Sequence, residues 1–367
     1  MPSKLASGDA AVHHQSEIFN GFIGMSASPL STPFSDAPAG VARIEVAPGV
    51  YWMRFALPWS LNHINLWLIE DGDSLAVVDT GLGDPPTRGL WTELIATLDR
   101  PISKIIVTHY HPDHIGNADW LSRATGAPVW MSMSEYLLSH AIHGQTSGYG
   151  MSSMLSHFRR HGLDEERLAK MEARGNVYER GVPTLPTQIQ RILDGDVLRI
   201  GNRDWQAIAG YGHSPEHISL HCAEAGVLIS GDMLLPRITT NINVPAAMPD
   251  EDSVGRFLAS LQRFVPLPVD TLVLPAHGLP FRGLHARIGQ LVAHHAERDA
   301  TMLKGLAEPR SAAELLQTLF TRPLDAHQLM FAMGEAIAHL NHLWHRGLLH
   351  CTKEDGAPIR YQSITLS

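Results

Sequence analysis

At 367 residues the chain exceeds one ordinary domain, and 44% hydrophobic against 18% charged residues excludes a disordered chain and provides for a sizeable core. A net charge of −9 argues against general affinity for nucleic acid or an anionic membrane, since both need clustered Lys and Arg. The two cysteines, Cys222 and Cys351, cannot build a disulfide framework, and no signal-like or membrane-spanning apolar run occurs, so a soluble cytoplasmic protein is expected.

Residues 1–40 are rich in Ser, Ala, Pro and Gly and read as an arm, partly disordered. Strands are expected at Arg43–Val46, Val50–Phe55, Ile64–Ile69 and Ser74–Asp79, the last two joined by the hairpin pair Asp71-Gly72. A helix with Leu90, Leu94 and Leu98 on one face leads to the apolar strand Lys104–Thr108, and a further helix is expected at Ile115–Thr125. Residues 131–182 read as two or three Met-rich helices inserted into the pattern. Strand signals return at Ile189–Ile200, Asp204–Ala209, Ile218–Cys222, Gly226–Ser230 and Thr271–Leu274, with turns at Asp194-Gly195 and Ala225-Gly226. Beyond His285 three helices are expected at Ser311–Phe320, Asp325–Ala332 and Glu335–Trp344, the first opened by a Ser311–Glu314 capping box. A hairpin of Gly347–Cys351 and Ile359–Ser363 follows. The expected organisation is an α/β catalytic unit over 41–284, with a helical lid at 131–182, and a C-terminal unit over 285–367.

The twenty-two histidines are an excess, and their placement decides what they mean. Thr108-His109-Tyr110-His111-Pro112-Asp113-His114 directly follows an apolar strand. In extended chain i and i+2 share a side, so His109 and His111 can grip one ion, and Pro112 then turns Asp113 and His114 toward a second. A merely polar loop of this composition would crowd imidazoles that are costly to protonate side by side. Gly212-His213-Ser214-Pro215, Ser230-Gly231-Asp232 and Ala276-His277-Gly278 each follow a further strand end. A layered α/β sheet gathers its functional loops there.

In this order, His-x-His-x-Asp-His, Gly-His-Ser-Pro, Ser-Gly-Asp and a late His-Gly resemble the metallo-β-lactamase superfamily, in style its glyoxalase II-like branch. Val78-Asp79-Thr80-Gly81 matches its structural Asp motif. The resemblance implies a four-layer αββα sandwich. It puts His109, His111 and His213 on metal 1, Asp113, His114 and His277 on metal 2, Asp232 as the bridge, and Asp79 as a hydrogen-bonding support. It also implies two divalent ions, zinc first, with iron or manganese as alternatives.

Two ions about 3.5–4 Å apart can share a hydroxide, which Asp113 and Asp232 would orient as the catalytic carboxylates. A thiolate leaves without a proton, whereas an amide nitrogen needs a donor that the sequence does not reveal, so small-molecule thioesters, esters or lactones are the expected substrates. The insertion, with Tyr136, Met151 and Met154, is expected to wall an apolar acyl pocket, and His217 is placed beside it.

The C-terminal unit resembles the winged-helix module of some superfamily members, including an endoribonuclease branch. That opens two alternatives, a nuclease or phosphodiesterase and a non-catalytic nucleic-acid-binding regulator. Eight Lys/Arg against eight Asp/Glu from His285 onward speak against a phosphate-tracking surface, and packing on the catalytic unit or forming a homo-oligomer is the expected role. A mono-iron persulfide dioxygenase is a further alternative.

Overall fold

The computed structural model describes residues 30–320 and 324–364, so the arm expected at 1–40 lies outside it up to residue 29. The first of two mixed sheets runs, in spatial order, β1 (Ile44–Ala47), β2 (Val50–Ala56), β3 (His63–Asp71), β4 (Ser74–Val78), β5 (Ile102–Ile106), β6 (Val129–Met131) and β7 (Gln190–Arg191). β1 to β4 form an antiparallel meander, and β4 to β7 are parallel. The second sheet has the order β12 (Leu272–Pro275), β11 (Val227–Gly231), β10 (His217–Cys222), β9 (Arg203–Gly210) and β8 (Val197–Ile200), with only β11 and β12 parallel.

The period of two along each strand separates the cores. Val50, Trp52, Trp67, Ile69, Ala76 and Val78 face the second sheet and meet Trp205, Ile218, Ile229 and Leu274. Their neighbours Met53, Phe55, Leu66, Leu68 and Val77 face outward, beneath α1 (Pro85–Thr97) and its Trp91 and Leu94. Helix α1 starts where Asp84 accepts a bond from the Thr87 amide and Pro85 presets the first turn.

Several expected elements are divided differently. The helix expected at Ile115–Thr125 is two, α2 (Pro112–Ile115) and α3 (Ala118–Thr125), because the Asn117 amide goes to Thr80 Oγ1 at 3.1 Å instead of continuing a helical ladder. The strand signal Ile189–Ile200 divides at the expected Asp194-Gly195 turn into β7 and β8, which lie in different sheets. Its turn carries the chain between them, with Asp194 accepting from the Ala209 amide and Asp196 from the Leu193 amide. The insertion holds four helices, not two or three: α4 (Met133–His143), α5 (Met151–Arg160), α6 (Glu165–Glu172) and α7 (Val177–Gly181).

Helices α8 (Ser253–Gln262) and α9 (Leu284–Gly305) cover the outer face of the second sheet. α10 (Ala312–Leu319) opens with the capping box read from the sequence. The two helices expected next are one, α11 (Ala326–His345), followed by the hairpin β13 (Leu349–Thr352) and β14 (Arg360–Ser363). Gly334 lies inside α11, where an added Cβ would stand 2.7 Å from Asn243 Cβ, so this glycine permits close packing instead of ending a helix. α11 is buried almost all round from Ala332 to Leu343. One continuous apolar core joins its Met333, Ile337 and Leu340 to Phe257 and Ile288 and to Leu228 of the second sheet. No described helix is long and apolar enough to cross a membrane.

This core also buries imidazoles. Burial pushes His161 down to about 3, with His157 adding to the effect, and pushes His157 itself to about 4 and His295 to about 2. A histidine lowered in the folded state contributes stability that is full above its unfolded value of 6.5 and is lost as pH falls below it. At pH 5 each of the three should cost about 2 kcal/mol relative to pH 7.5. His161 stacks on Tyr361 and neither of its ring nitrogens has a partner. Urea unfolding at the two pH values should therefore show His161→Phe matching the wild type at pH 7.5 and recovering about one such increment at pH 5. An unchanged pH dependence would mean that His161 is protonated in the fold.

Candidate metal centre

The ends of β4, β5, β9, β11 and β12 converge, and each delivers a short loop with chemistry on it. After β5 come His109 and His111, and Pro112 starts α2 so that Asp113 and His114 occupy its first turn. Gly212 (φ 95) precedes His213 and Gly231 (φ 51) precedes Asp232, in backbone conformations that L side chains resist.

The tertiary structure sorts these residues into two clusters: His109, His111, His213 and Asp232, and Asp113, His114 and His277, with the offered atoms of each cluster all within 4.8 Å of one another. In the first, His109 Nε2 lies 2.8 Å from His111 Nδ1 and 3.2 Å from His213 Nε2. In the second, His277 Nε2 lies 3.4 Å from Asp113 Oδ2, and His114 Nε2 3.8 Å from the same oxygen. Asp232 faces both, with Oδ2 3.3 Å from His213 Nε2 and 3.7 Å from His114 Nε2, and Oδ1 3.4 Å from His277 Nε2. Ligands about 2.0–2.1 Å from a tetrahedral ion stand about 3.3 Å apart, which is the scale of these separations.

The opposite ring nitrogens are tied down. His213 Nδ1 donates to the Asn241 carbonyl and His277 Nδ1 to the His63 carbonyl, both at 2.7 Å, leaving each Nε2 lone pair directed into the site. His114 Nδ1 meets Asp79 Oδ2 at 2.8 Å, and Asp79 also accepts from the Thr108 amide and hydroxyl. Asp79 thus supports the ligands by hydrogen bonds, from a left-handed backbone position (φ 62).

Electrostatics give the test of fit. Burial and then the neighbouring imidazoles hold His109 and His111 well below the usual histidine range, so both are neutral electron-pair donors. Burial also disfavours a charge on His114, but Asp79, Asp113 and Asp232 outweigh it and push its pKa up to about 10. Three carboxylates therefore call for positive charge at this point. His114 Nε2 and Asp232 Oδ1 are buried with no hydrogen-bond partner, as atoms meant for a cation would be. The donor set, nitrogen and carboxylate oxygen without sulfur, suits two divalent ions.

Of the residues expected around a substrate, one is a brace of the site itself. His217 is fully buried beneath the site, its Nε2 accepting from the Asp232 amide at 3.1 Å, so it braces a ligand instead of lining a pocket. Tyr136 donates to the Thr187 carbonyl and packs against His140. Met151 and Met154 pack on the core shared by α5, α6 and α11. Sequence reading missed His63 and Asn241, whose signal is a backbone oxygen, and Asn65, which did carry one: a polar residue inside an apolar strand. Asn65 takes a bond from Trp52 and donates to the carbonyls of Pro275 and Gly278, fixing the His277 loop from both sides. Arg54, over the Trp52 ring, donates to the Gly278 carbonyl as well.

Residues 59–277 match the family described as the metallo-beta-lactamase superfamily, and residues 300–364 match its metallo-beta-lactamase-like C-terminal domain. The chain is 41% identical to the structure of a beta-lactamase domain protein from Burkholderia ambifaria, covering 91% of this chain and 98% of that one with a TM-score of 0.85. A metallo-beta-lactamase family protein from Thermus thermophilus is 28% identical over 86% of this chain and 99% of its own, with a TM-score of 0.74. Named relatives are more distant. A linear primary-alkylsulfatase from Pseudomonas is 25% identical over 59% of this chain, and an atrochrysone carboxyl ACP thioesterase from Aspergillus terreus is 23% identical over 68%. The chain spans only 42% and 60% of their respective lengths. The probable metallo-hydrolase YqjP of Bacillus subtilis is 22% identical over 79% of this chain and 90% of its own length. Family match and ligand geometry agree: the chain belongs to the metallo-beta-lactamase superfamily and is a metal-dependent hydrolase.

Proposed function

We propose that the enzyme hydrolyses a small-molecule thioester, with esters and lactones as related substrates, at a two-ion centre that holds zinc. The observation that carries this reading is the Asp232 carboxylate shared between two His/Asp clusters. Two divalent ions there would supply a water activated near neutral pH and charge stabilisation for a developing oxyanion. The chain's own part is orientation and proton handling. His109 and His114 are sealed off, whereas the side chains of Asp113 and Asp232 are each 11% exposed and His111 is partly open. Solvent therefore reaches the site past His111 and the two carboxylates, and hydrogen bonding of Asp113 to an entering water is part of this reading.

The leaving group separates the substrate classes. A thiolate departs unprotonated, while an amide nitrogen depends on general-acid help worth about 10²–10⁴ in rate. The ACP thioesterase among the relatives supports the thioester reading. The burial of α11 and the balanced charge of the C-terminal region support a packing role for that region over nucleic-acid binding, which would need an exposed, basic helix.

A substrate panel on protein analysed for metal provides the test. An acyl thioester should turn over at least about a hundredfold faster than the matching amide or a β-lactam. Comparable amide turnover, or preference for an alkyl sulfate or a phosphodiester, would overturn the substrate class. A single iron per chain with oxygen uptake on a persulfide would replace hydrolysis altogether.

A further inference from the structure

α4 begins Ser132-Met133-Ser134-Glu135, the same Ser-x-x-Glu spacing that opens α10 at Ser311 and Glu314. At α10 both reciprocal capping bonds form: the Ser311 amide donates to Glu314 at 2.7 Å, and the Glu314 amide to the Ser311 hydroxyl at 3.4 Å. At α4 the Ser132 side chain makes no capping bond. It donates instead to the Glu216 carbonyl at 2.9 Å. Glu135 turns the same way. Its Oε1 accepts from the Ser214 hydroxyl at 2.6 Å and the Glu216 amide at 2.7 Å, and its Oε2 from the Tyr110 amide at 2.9 Å. Glu135 is completely buried. A carboxylate in an apolar surrounding is tolerated only with full hydrogen bonding, and here both oxygens are satisfied by loop donors.

The identity of those donors gives the arrangement its meaning. Tyr110 stands between His109 and His111, and Ser214 directly follows His213. One side chain therefore ties together the two segments that carry all three imidazoles of the first cluster. The second cluster is held by other groups, Asp79 for His114 and the His63 carbonyl for His277. We propose that Glu135 is a positioning residue for the first ion alone, setting His109, His111 and His213 in their mutual geometry by giving up the capping role its sequence position suggests.

The proposal rests on the two-ion reading of the site, and chelator-competed zinc titration of the metal-free protein separates the two. Wild type should bind two ions. In Glu135→Gln, the amide keeps an oxygen for Ser214 and Glu216 but sets a donor against the Tyr110 amide. One of the two ions should bind about 10–100-fold more weakly while the other keeps its wild-type affinity. Excess zinc should restore most of the activity. In a His277→Ala background, where the second cluster is broken, Glu135→Gln should weaken the remaining ion by the same factor. Ser214→Ala, which removes one donor and leaves the carboxylate, should weaken the same ion to a smaller degree. If the Gln variant folds poorly, the Ser214→Ala titration decides. Unchanged affinities, or equal weakening of both ions as a general loss of stability would give, overturn the role of Glu135. A wild type that binds one ion overturns the two-ion reading and the proposal with it.

Discussion

Asp232→Asn should empty the centre of at least one ion and reduce hydrolysis by at least about a thousandfold, while the fold survives. The carboxylate faces ligands of both clusters, at 3.3 Å from His213, 3.7 Å from His114 and 3.4 Å from His277. An amide offers a single oxygen and no charge, so it can serve one cluster and neutralises neither. Losing several kcal/mol of charge stabilisation in the transition state corresponds to about three or more powers of ten in rate. The backbone of Asp232 is held independently, its amide by His217 and its carbonyl by the Thr240 hydroxyl, so the loop has reason to keep its place. Metal analysis, steady-state kinetics and far-UV circular dichroism on one preparation check all three parts. Two ions retained, with activity within tenfold of wild type, would overturn the bridging role proposed for Asp232.

The second large effect is expected at a residue that touches no ion. Gly212 (φ 95) passes so close to α8 that an added Cβ would collide with the Ser253 carbonyl oxygen and stand 2.7 Å from Phe257 Cβ. The first obstacle is backbone and cannot swing away. The second is the Cβ of a fully buried phenylalanine in the core beneath α9 and α11. Gly212→Ala should therefore combine overpacking, about 1–3 kcal/mol, with about 1–2 kcal/mol for a side chain in the left-handed region. The only relief is to move residue 212, which moves His213 off the Asn241 carbonyl that orients it. Denaturant melts should show the stability loss, and metal titration should show the first cluster weakened more than the second. Wild-type stability and metal affinity in this variant would mean that α8 yields.

Both substitutions separate what was readable in the sequence from what was not. The ligand positions were legible because each is a local event: an apolar strand, a glycine or proline that turns the chain, and a His or Asp at the turn. The hairpin at Asp71-Gly72, the capping box at Ser311 and the strand ends were legible for the same reason, as patterns complete within a few residues. The lid was not. Met151, Met154 and Tyr136 have the composition of a pocket wall, yet composition cannot say which apolar surface a helix meets, and α5 meets the C-terminal core. The gap between the helices expected at Asp325–Ala332 and Glu335–Trp344 closes into one helix, where Gly334 packs against Asn243.

The sequence by itself determined which atoms can hold ions, because ligation chemistry belongs to the side chain and its nearest neighbours. Only the tertiary structure decided how those atoms are aimed. His63 reaches His277, Asn65 braces Gly278, Asn241 orients His213, and Glu135 joins Tyr110 to Ser214, each across a long stretch of chain. Ser132-x-x-Glu135 and Ser311-x-x-Glu314 are the same local signal. They part company because hydrogen-bond donors from the ligand loops stand beside the first and not the second, and a buried carboxylate bonds to whatever donors the fold sets against it.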